Sequence, residues 1–119
     1  MAQHNELGKR GELLARKFLE NLGYQILDTN WRHEKDELDI VAIDGELLVI
    51  AEVKTRSTDH FGDPSEAVNT AKEQFLIRGA EAYLESKKFD YEIRFDIISV
   101  IITGNGHRIE HIIDAFYPE

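Results

Sequence analysis

Hydrophobic and polar positions follow two different periods along this chain. From about Asn5 to Leu22 the apolar residues Leu7, Leu14, Ala15, Phe18 and Leu22 share one helical stripe, which predicts a helix ended by Gly23. Tyr24–Asn30 then reads as a strand. Glu37–Ile43 and Glu46–Arg56 are rich in Val, Ile and Leu around Asp44-Gly45, a strong hairpin signal because a type I′ turn needs positive φ at both central residues. Pairing Ile43 with Glu46 places Val41 opposite Leu48, Asp39 opposite Ile50 and Glu37 opposite Glu52. After a loop over Ser57–Gly62, Asp63-Pro64-Ser65-Glu66 predicts a helix start, with Asp63 as N-cap and Glu66 as the capping-box acid. That helix should reach about Lys87, burying Val68, Ala71, Phe75, Ala82 and Tyr83, with a break at Gly79. Strands over about Tyr91–Ile102 and His107–Phe116 follow, joined at Thr103–Gly106. The order α-β-β-β-α-β-β predicts an α/β domain, a mixed sheet with helices packed on it.

That pattern fills all 119 residues without repeat, linker or low-complexity stretch, so we expect one domain, 1–119. Cysteine is absent, which removes disulfides, thiolate zinc sites and cysteine nucleophiles together. Apolar runs such as Leu47–Ala51 are too short for a bilayer, and no apolar stretch suggests a secretion signal. The expected location is the cytoplasm. The net charge of −9 opposes phosphate binding, but it is uneven. Residues 1–56 hold 8 of the 14 Lys and Arg, and their net charge is −3 against −6 for the rest.

The chemistry gathers in that less acidic half. Side chains alternate along a strand, and paired residues project to one face. In the register above, Glu37, Asp39, Glu52 and Lys54 point one way, with Asp39 diagonal to Glu52 at roughly 7–8 Å between Cα atoms. Like charges about 4 Å apart repel by roughly 4 kcal/mol at an effective dielectric near 20, so clustered acids need a compensating cation. Lys54 supplies part of that, and a divalent ion would supply more. Carboxylates are hard ligands, which suits Mg²⁺ or Mn²⁺ better than zinc. Such a site fits phosphodiester hydrolysis, with Lys54 orienting the attacking water or offsetting charge at phosphorus. Glu12, at the edge of the first helix's stripe, is a candidate third acid, and Gly8 and Gly11 permit close approach there. Read singly, a Glu-x-Lys pair is a solvated strand face and Glu12 an exposed helix residue. Asp96 reads as a structural ion-pair partner, and the histidines at 4, 33, 60, 107 and 111 as surface or loop residues.

The chain resembles the small bacterial YraN-like family, which is similar to archaeal Holliday-junction resolvases within the restriction-endonuclease-like fold of the PD-(D/E)xK superfamily. The residues that carry the likeness are Gly8-x-x-Gly11-Glu12, Asn30-Trp31-Arg32, Glu37-Leu38-Asp39-Ile40, Glu52-Val53-Lys54-Thr55-Arg56, Phe61-Gly62-Asp63-Pro64, Lys72 and Arg94-Phe95-Asp96. The resemblance implies a five-stranded mixed sheet flanked by helices. It also implies metal binding by Asp39 and Glu52, with Glu12 as a further ligand and Lys54 as catalytic lysine. Asp36 stands where that family usually has Gly, adding charge near the site, and Leu38 where the superfamily's name has proline.

Three functions follow. The first is a metal-dependent endonuclease, structure-selective or general, acting on DNA ahead of RNA, with Lys9, Arg10, Arg32, Arg56 and Lys72 as phosphate contacts and a homodimer by analogy with resolvases. The second is a non-catalytic nucleic-acid-binding or partner-docking module on the same fold. The third is a protein-interaction scaffold, which a large exposed apolar patch would favour. Lys9, Arg10, Arg16, Arg32, Lys35, Arg56 and Lys72 would form a substrate track if they lined one rim around the acids; scattered, they weaken the binding role.

Overall fold

The computed structural model of the chain describes residues 2–57 and 68–117. The elements run α1 (Ala2–Asn21), β1 (Gln25–His33), β2 (Asp36–Asp44), β3 (Leu47–Arg56), α2 (Thr70–Lys87), β4 (Glu92–Thr103) and β5 (Gly106–Phe116), in the order the pattern predicts. They form one five-stranded sheet in sequence order, parallel between β3 and β4 and antiparallel elsewhere. The parallel step follows from α2, because only a long crossover can return the chain to the same strand direction.

Each face of the sheet carries one helix and one core. Ala15 and Leu19 of α1 pack on Ile40, Ala42, Val49, Ala51, Ile98 and Val100. Leu76, Ala80 and Tyr83 of α2 pack on Leu38, Val41, Leu48, Ile50, Phe95 and Ile97. Both faces are therefore covered, which explains why β3 and β4 read as near-continuous apolar runs. The stripe on α1 centres on Ala15 and Leu19; Leu22, assigned to it from the sequence, is 55% exposed.

Both helices end in the same device. Tyr24 N–H bonds Leu19 O and Gly23 N–H bonds Glu20 O, with Gly23 at φ 97. In α2, Phe89 N–H bonds Leu84 O and Lys88 N–H bonds Glu85 O, with Lys88 at φ 59. These are Schellman closures, which satisfy carbonyls that a helix end leaves open. The expected Gly23 stop is observed. A lysine fills the equivalent place after α2.

Several expectations change. β1 continues to His33 rather than ending at Asn30. The β2–β3 register is Asp44↔Leu47, Ile43↔Leu48 and Val41↔Ile50, two residues from the register expected. The loop is Gly45-Glu46, and Gly45 alone of that pair takes positive φ, at 61. That is the glycine requirement of a type II′ turn rather than the I′ turn that Asp44-Gly45 suggested. A two-residue slip by itself leaves facing unchanged, so Glu52 and Lys54 keep the side expected of them.

In α2, Asn69 is the N-cap, its side chain accepting from Lys72 N–H at 2.9 Å. The predicted start at Asp63-Pro64-Ser65-Glu66, the Phe61–Pro64 motif and His60 lie outside the described residues, as does the side chain of His4. Gly79 does not break α2; it lies against Leu38, where an added Cβ would come within 3.0 Å of Cδ2. Phe75, expected inside, is 44% exposed with Arg78 over its ring, and Ala71 is also exposed. No described helix is long and apolar enough to cross a membrane.

Candidate active site

Asp39 occupies an interruption in the sheet. The β2–β3 ladder ends at Ile40↔Ala51, and beyond it Val53 N–H donates to Asp39 Oδ2 at 2.9 Å. On the other side, the β1–β2 ladder passes from Thr29↔Ile40 to Trp31↔Leu38, skipping Asn30 and Asp39, and Asn30 has φ 53. Residues two apart on a regular strand share a face. Here Leu38 belongs to the core under α2 and Ile40 to the core under α1. The backbone of β2 therefore turns over at Asp39, and its carboxylate occupies the gap toward β3. Simple alternation, used above to orient Asp39, does not hold at this residue.

Glu52 comes from a regular strand. Leu48 and Ile50 face α2, so Glu52 does too, and Lys72 Nζ of α2 lies 3.2 Å from Glu52 Oε2. The Glu52 side chain is only 13% exposed, and its Oε1 is buried without a hydrogen-bond partner. The pair is electrostatically loaded. Burial, then the charge of Glu52, push the Asp39 carboxyl up to about 7, against the opposing Val53 N–H and the Lys72 ammonium. The neighbouring Glu52 carboxylate, which favours a proton on Asp39, adds a smaller push in the same direction. Two acids thus interact across the fork between β2 and β3.

The other candidate residues reach this fork unequally. Lys54 follows Glu52 by two positions and shares its side, because the intervening Val53 and the following Thr55 face α1. It is exposed and makes no ion pair among the described residues. Glu12 approaches from the α1 side. Its carboxyl is raised chiefly by burial, lowered by a hydrogen bond from Asn30, and raised again by the charges of Asp39 and Glu37. Gly11 makes that approach feasible, since a Cβ there would overlap Thr55 Oγ1. Glu37, expected on the face of Glu52, lies on the α1 side instead, because its neighbours Asp36 and Leu38 both lie against Gly79 of α2; it is held by Arg32 at 3.5 Å. Among the described residues no three acidic or histidine side chains gather tightly enough to hold a metal by themselves. The expected trio of Asp39, Glu52 and Glu12 is therefore a close pair with an outlying third.

The basic candidates do not form one rim. Lys72 is drawn onto Glu52, Arg32 onto Glu37, and Arg56 is buried at 8% exposure. Arg10 lines a separate depression with Leu14, Gly104 and His107. Lys9 and Arg16 share a groove of about 290 Å³ with Glu12, Leu13, Thr29 and Asn30. Asn30 had no assigned role. Its signal was its residue type, since Asn adopts left-handed backbone more readily than other non-glycine residues.

Two acids near the motifs are structural. Asp36 accepts Arg78 Nε and Nη2, each at 2.7 Å, so the charge it adds is neutralised and its pKa lowered by that hydrogen bond against the cost of burial. Asp96 is the ion-pair partner expected of it. It accepts from Arg94 at 2.9 Å, from Asp114 N–H at 3.0 Å, and contacts His111 Nε2 at 2.7 Å. Arg94 also reaches Asp44 and the Tyr24 hydroxyl. His111, expected at the surface, has a side chain only 7% exposed, packed edge-on against Phe18 and Tyr24.

Residues 11–100 match the family model described as "Uncharacterised protein family UPF0102". The chain is 51% identical over 118 residues to a UPF0102 protein of Bacteroides thetaiotaomicron, covering 99% of this chain and 98% of the relative. It is 50% identical over 117 residues to one of Flavobacterium psychrophilum and 49% over 117 residues to one of Christiangramia forsetii, each with 98% coverage of both chains.

Proposed function

The chain belongs to the UPF0102 family, and from the site it carries we propose a metal-dependent phosphodiesterase, an endonuclease acting on DNA ahead of RNA on a restriction-endonuclease-like fold. The observation that supports this is the Asp39–Glu52 pair. Two carboxyls are crowded at the end of a ladder, one pushed up to about 7 and the other with a buried oxygen that has no hydrogen-bond donor. A buried acceptor left unpaired costs about 1–3 kcal/mol, and sites that carry such a cost are often functional.

The residues fit a hard divalent cation such as Mg²⁺ or Mn²⁺. Mg²⁺ is commonly held by one or two carboxylates, with waters and substrate phosphate completing its shell, so the absence of a third close acid among the described residues does not oppose it. Asp39 and Glu52 would hold the ion, with Glu12 joining from the α1 side. When bound, the ion would supply Lewis acidity toward a phosphate oxygen. Lys54, exposed beside Glu52, orients the attacking water or offsets charge at phosphorus.

The Lys72–Glu52 ion pair favours a second reading, a non-catalytic binding module in which a lysine occupies the cation's place. One experiment separates the two. Branched, single-stranded and duplex DNA, and RNA, are incubated with the protein in Mg²⁺ and in Mn²⁺, with Asp39→Asn and Glu52→Gln as controls. Cleavage that disappears in both variants is the expected result. Binding without cleavage by the wild type supports the second reading.

A further inference from the structure

The groove that presents Glu12 to the carboxylate pair also carries two cations, Lys9 and Arg16. The groove on α1 is lined by Lys9, Glu12, Leu13, Arg16, Thr29 and Asn30. Lys9, Glu12, Leu13 and Arg16 recur at three and four residues, which places them on one helical face. Arg16 Nε is buried without a hydrogen-bond partner, and neither Arg16 nor Lys9 forms an ion pair among the described residues. Glu12 shares the groove, but it accepts a hydrogen bond from Asn30 and forms no ion pair with either cation among the described residues. The helix also departs from the overall charge, with four Lys and Arg against three Glu in a chain of net −9.

A buried guanidinium nitrogen without an acceptor is costly, and a planar donor fork matches phosphate oxygens. Thr29 of β1 also lines the groove, and Leu13, 43% exposed, offers an apolar surface suited to a sugar. Glu12 ties the groove to the fork, since it lines the one and feels the charge of Asp39 in the other. We propose that Lys9 and Arg16 form a phosphodiester subsite that holds a DNA strand one or more phosphates away from the bond placed at Asp39 and Glu52. The subsite rests on the hydrolytic reading for its register but not for its existence.

The test is DNA binding without divalent metal. Fluorescence anisotropy of short fluorescein-labelled single-stranded and duplex DNA, in EDTA and across a salt series, compares wild type with Arg16→Met, Lys9→Met, Arg16→Lys and Lys17→Met. Lys17 is on the same helix but outside the groove, so its variant controls for general loss of charge. Arg16→Met and Lys9→Met should each weaken binding about tenfold and flatten the dependence of log affinity on log salt by about one. Arg16→Lys should recover part of the loss, and Lys17→Met should change affinity less than about twofold. Circular dichroism establishes that each variant is folded; if Arg16→Met is not, Lys9→Met and Arg16→Lys carry the test. The subsite is overturned if the groove variants bind like wild type, if Lys17→Met is equally weakened, or if the wild type binds no DNA. The hydrolytic reading is judged separately, by Mn²⁺ titration of wild type against Asp39→Asn.

Discussion

Lys72 Nζ lies 3.2 Å from Glu52 Oε2, so an ammonium from α2 is the nearest counter-charge to two crowded carboxyls on the sheet. It also opposes the upward shift of Asp39. A divalent cation and this lysine therefore compete for the same negative field. Lys72→Met should lower stability at pH 8 by about 1 kcal/mol, since the lysine is 40% exposed and the pair is partly screened. Added Mn²⁺ should then raise the Tm of Lys72→Met more than that of wild type. Equal rises would show that lysine and metal do not share the site.

The Asp39 shift makes stability depend on pH. Its carboxyl stands near 7 in the fold against 3.8 ordinarily, so the folded state holds its proton more tightly than the unfolded chain does. Stability from this group is complete below about pH 4 and is lost as pH rises through 7. Asp39→Asn removes the charge and keeps an acceptor for Val53 N–H, while its amide can donate to Glu52. Urea unfolding at pH 8 should find Asp39→Asn more stable than wild type, by on the order of 2 kcal/mol. At pH 4 the two should converge. A constant difference across that range would assign the shift to another group.

The place of Asp39 was legible in the residues, but the reason for it was not. Asp-Gly between two apolar runs correctly predicts the hairpin, and the two-residue slip in register leaves Glu52 and Lys54 on the side expected, whereas the reversal of β2 at Asp39 moves Glu37 to the other face. What brings Asp39 to Glu52 is the broken pairing at Asn30 and Asp39, which turns β2 over between Leu38 and Ile40. No local periodicity records that break, because it depends on both neighbouring strands. Glu52 and Lys54, on a strand paired regularly with β4 from Leu47 to Arg56, were correctly oriented by alternation. Arg56 and His111 were misplaced for a shared reason. Residue type suggests a surface, while the sheet buries whatever its register puts beneath a helix or a neighbouring ladder.

Asp96 anchors β4 to β5, away from the proposed chemistry. Burial alone would raise its carboxyl, yet His111, Arg94 and the Asp114 N–H together hold it below the usual carboxylate range. Asp96→Asn leaves Arg94, whose side chain is 12% exposed, with Asp44 as its remaining carboxylate partner. Breaking a buried pair from one side costs about 3–5 kcal/mol. Thermal denaturation should show a large fall in Tm, while Mn²⁺ binding by the folded fraction stays unchanged. A neutral effect on Tm would mean that the network contributes little.

Two glycines three residues apart on α1 should respond to alanine in opposite directions. Nothing lies within 4 Å of a Cβ built on Gly8, so Gly8→Ala supplies helix propensity without a clash and should stabilise by about 0.5–1 kcal/mol. At Gly11 the added methyl would overlap Thr55 Oγ1 and come within 2.6 Å of its Cγ2. Thr55 is fixed in β3, so α1 itself must move away from the sheet, at a cost of about 1–3 kcal/mol. Glu12, Arg16 and Lys9 move with it. Urea denaturation should find Gly8→Ala above wild type and Gly11→Ala below it, and Gly11→Ala should also weaken DNA binding measured without metal. If both alanines stabilise, α1 does not sit against β3 as described, and neither Glu12 nor the groove cations are held beside the carboxylate pair.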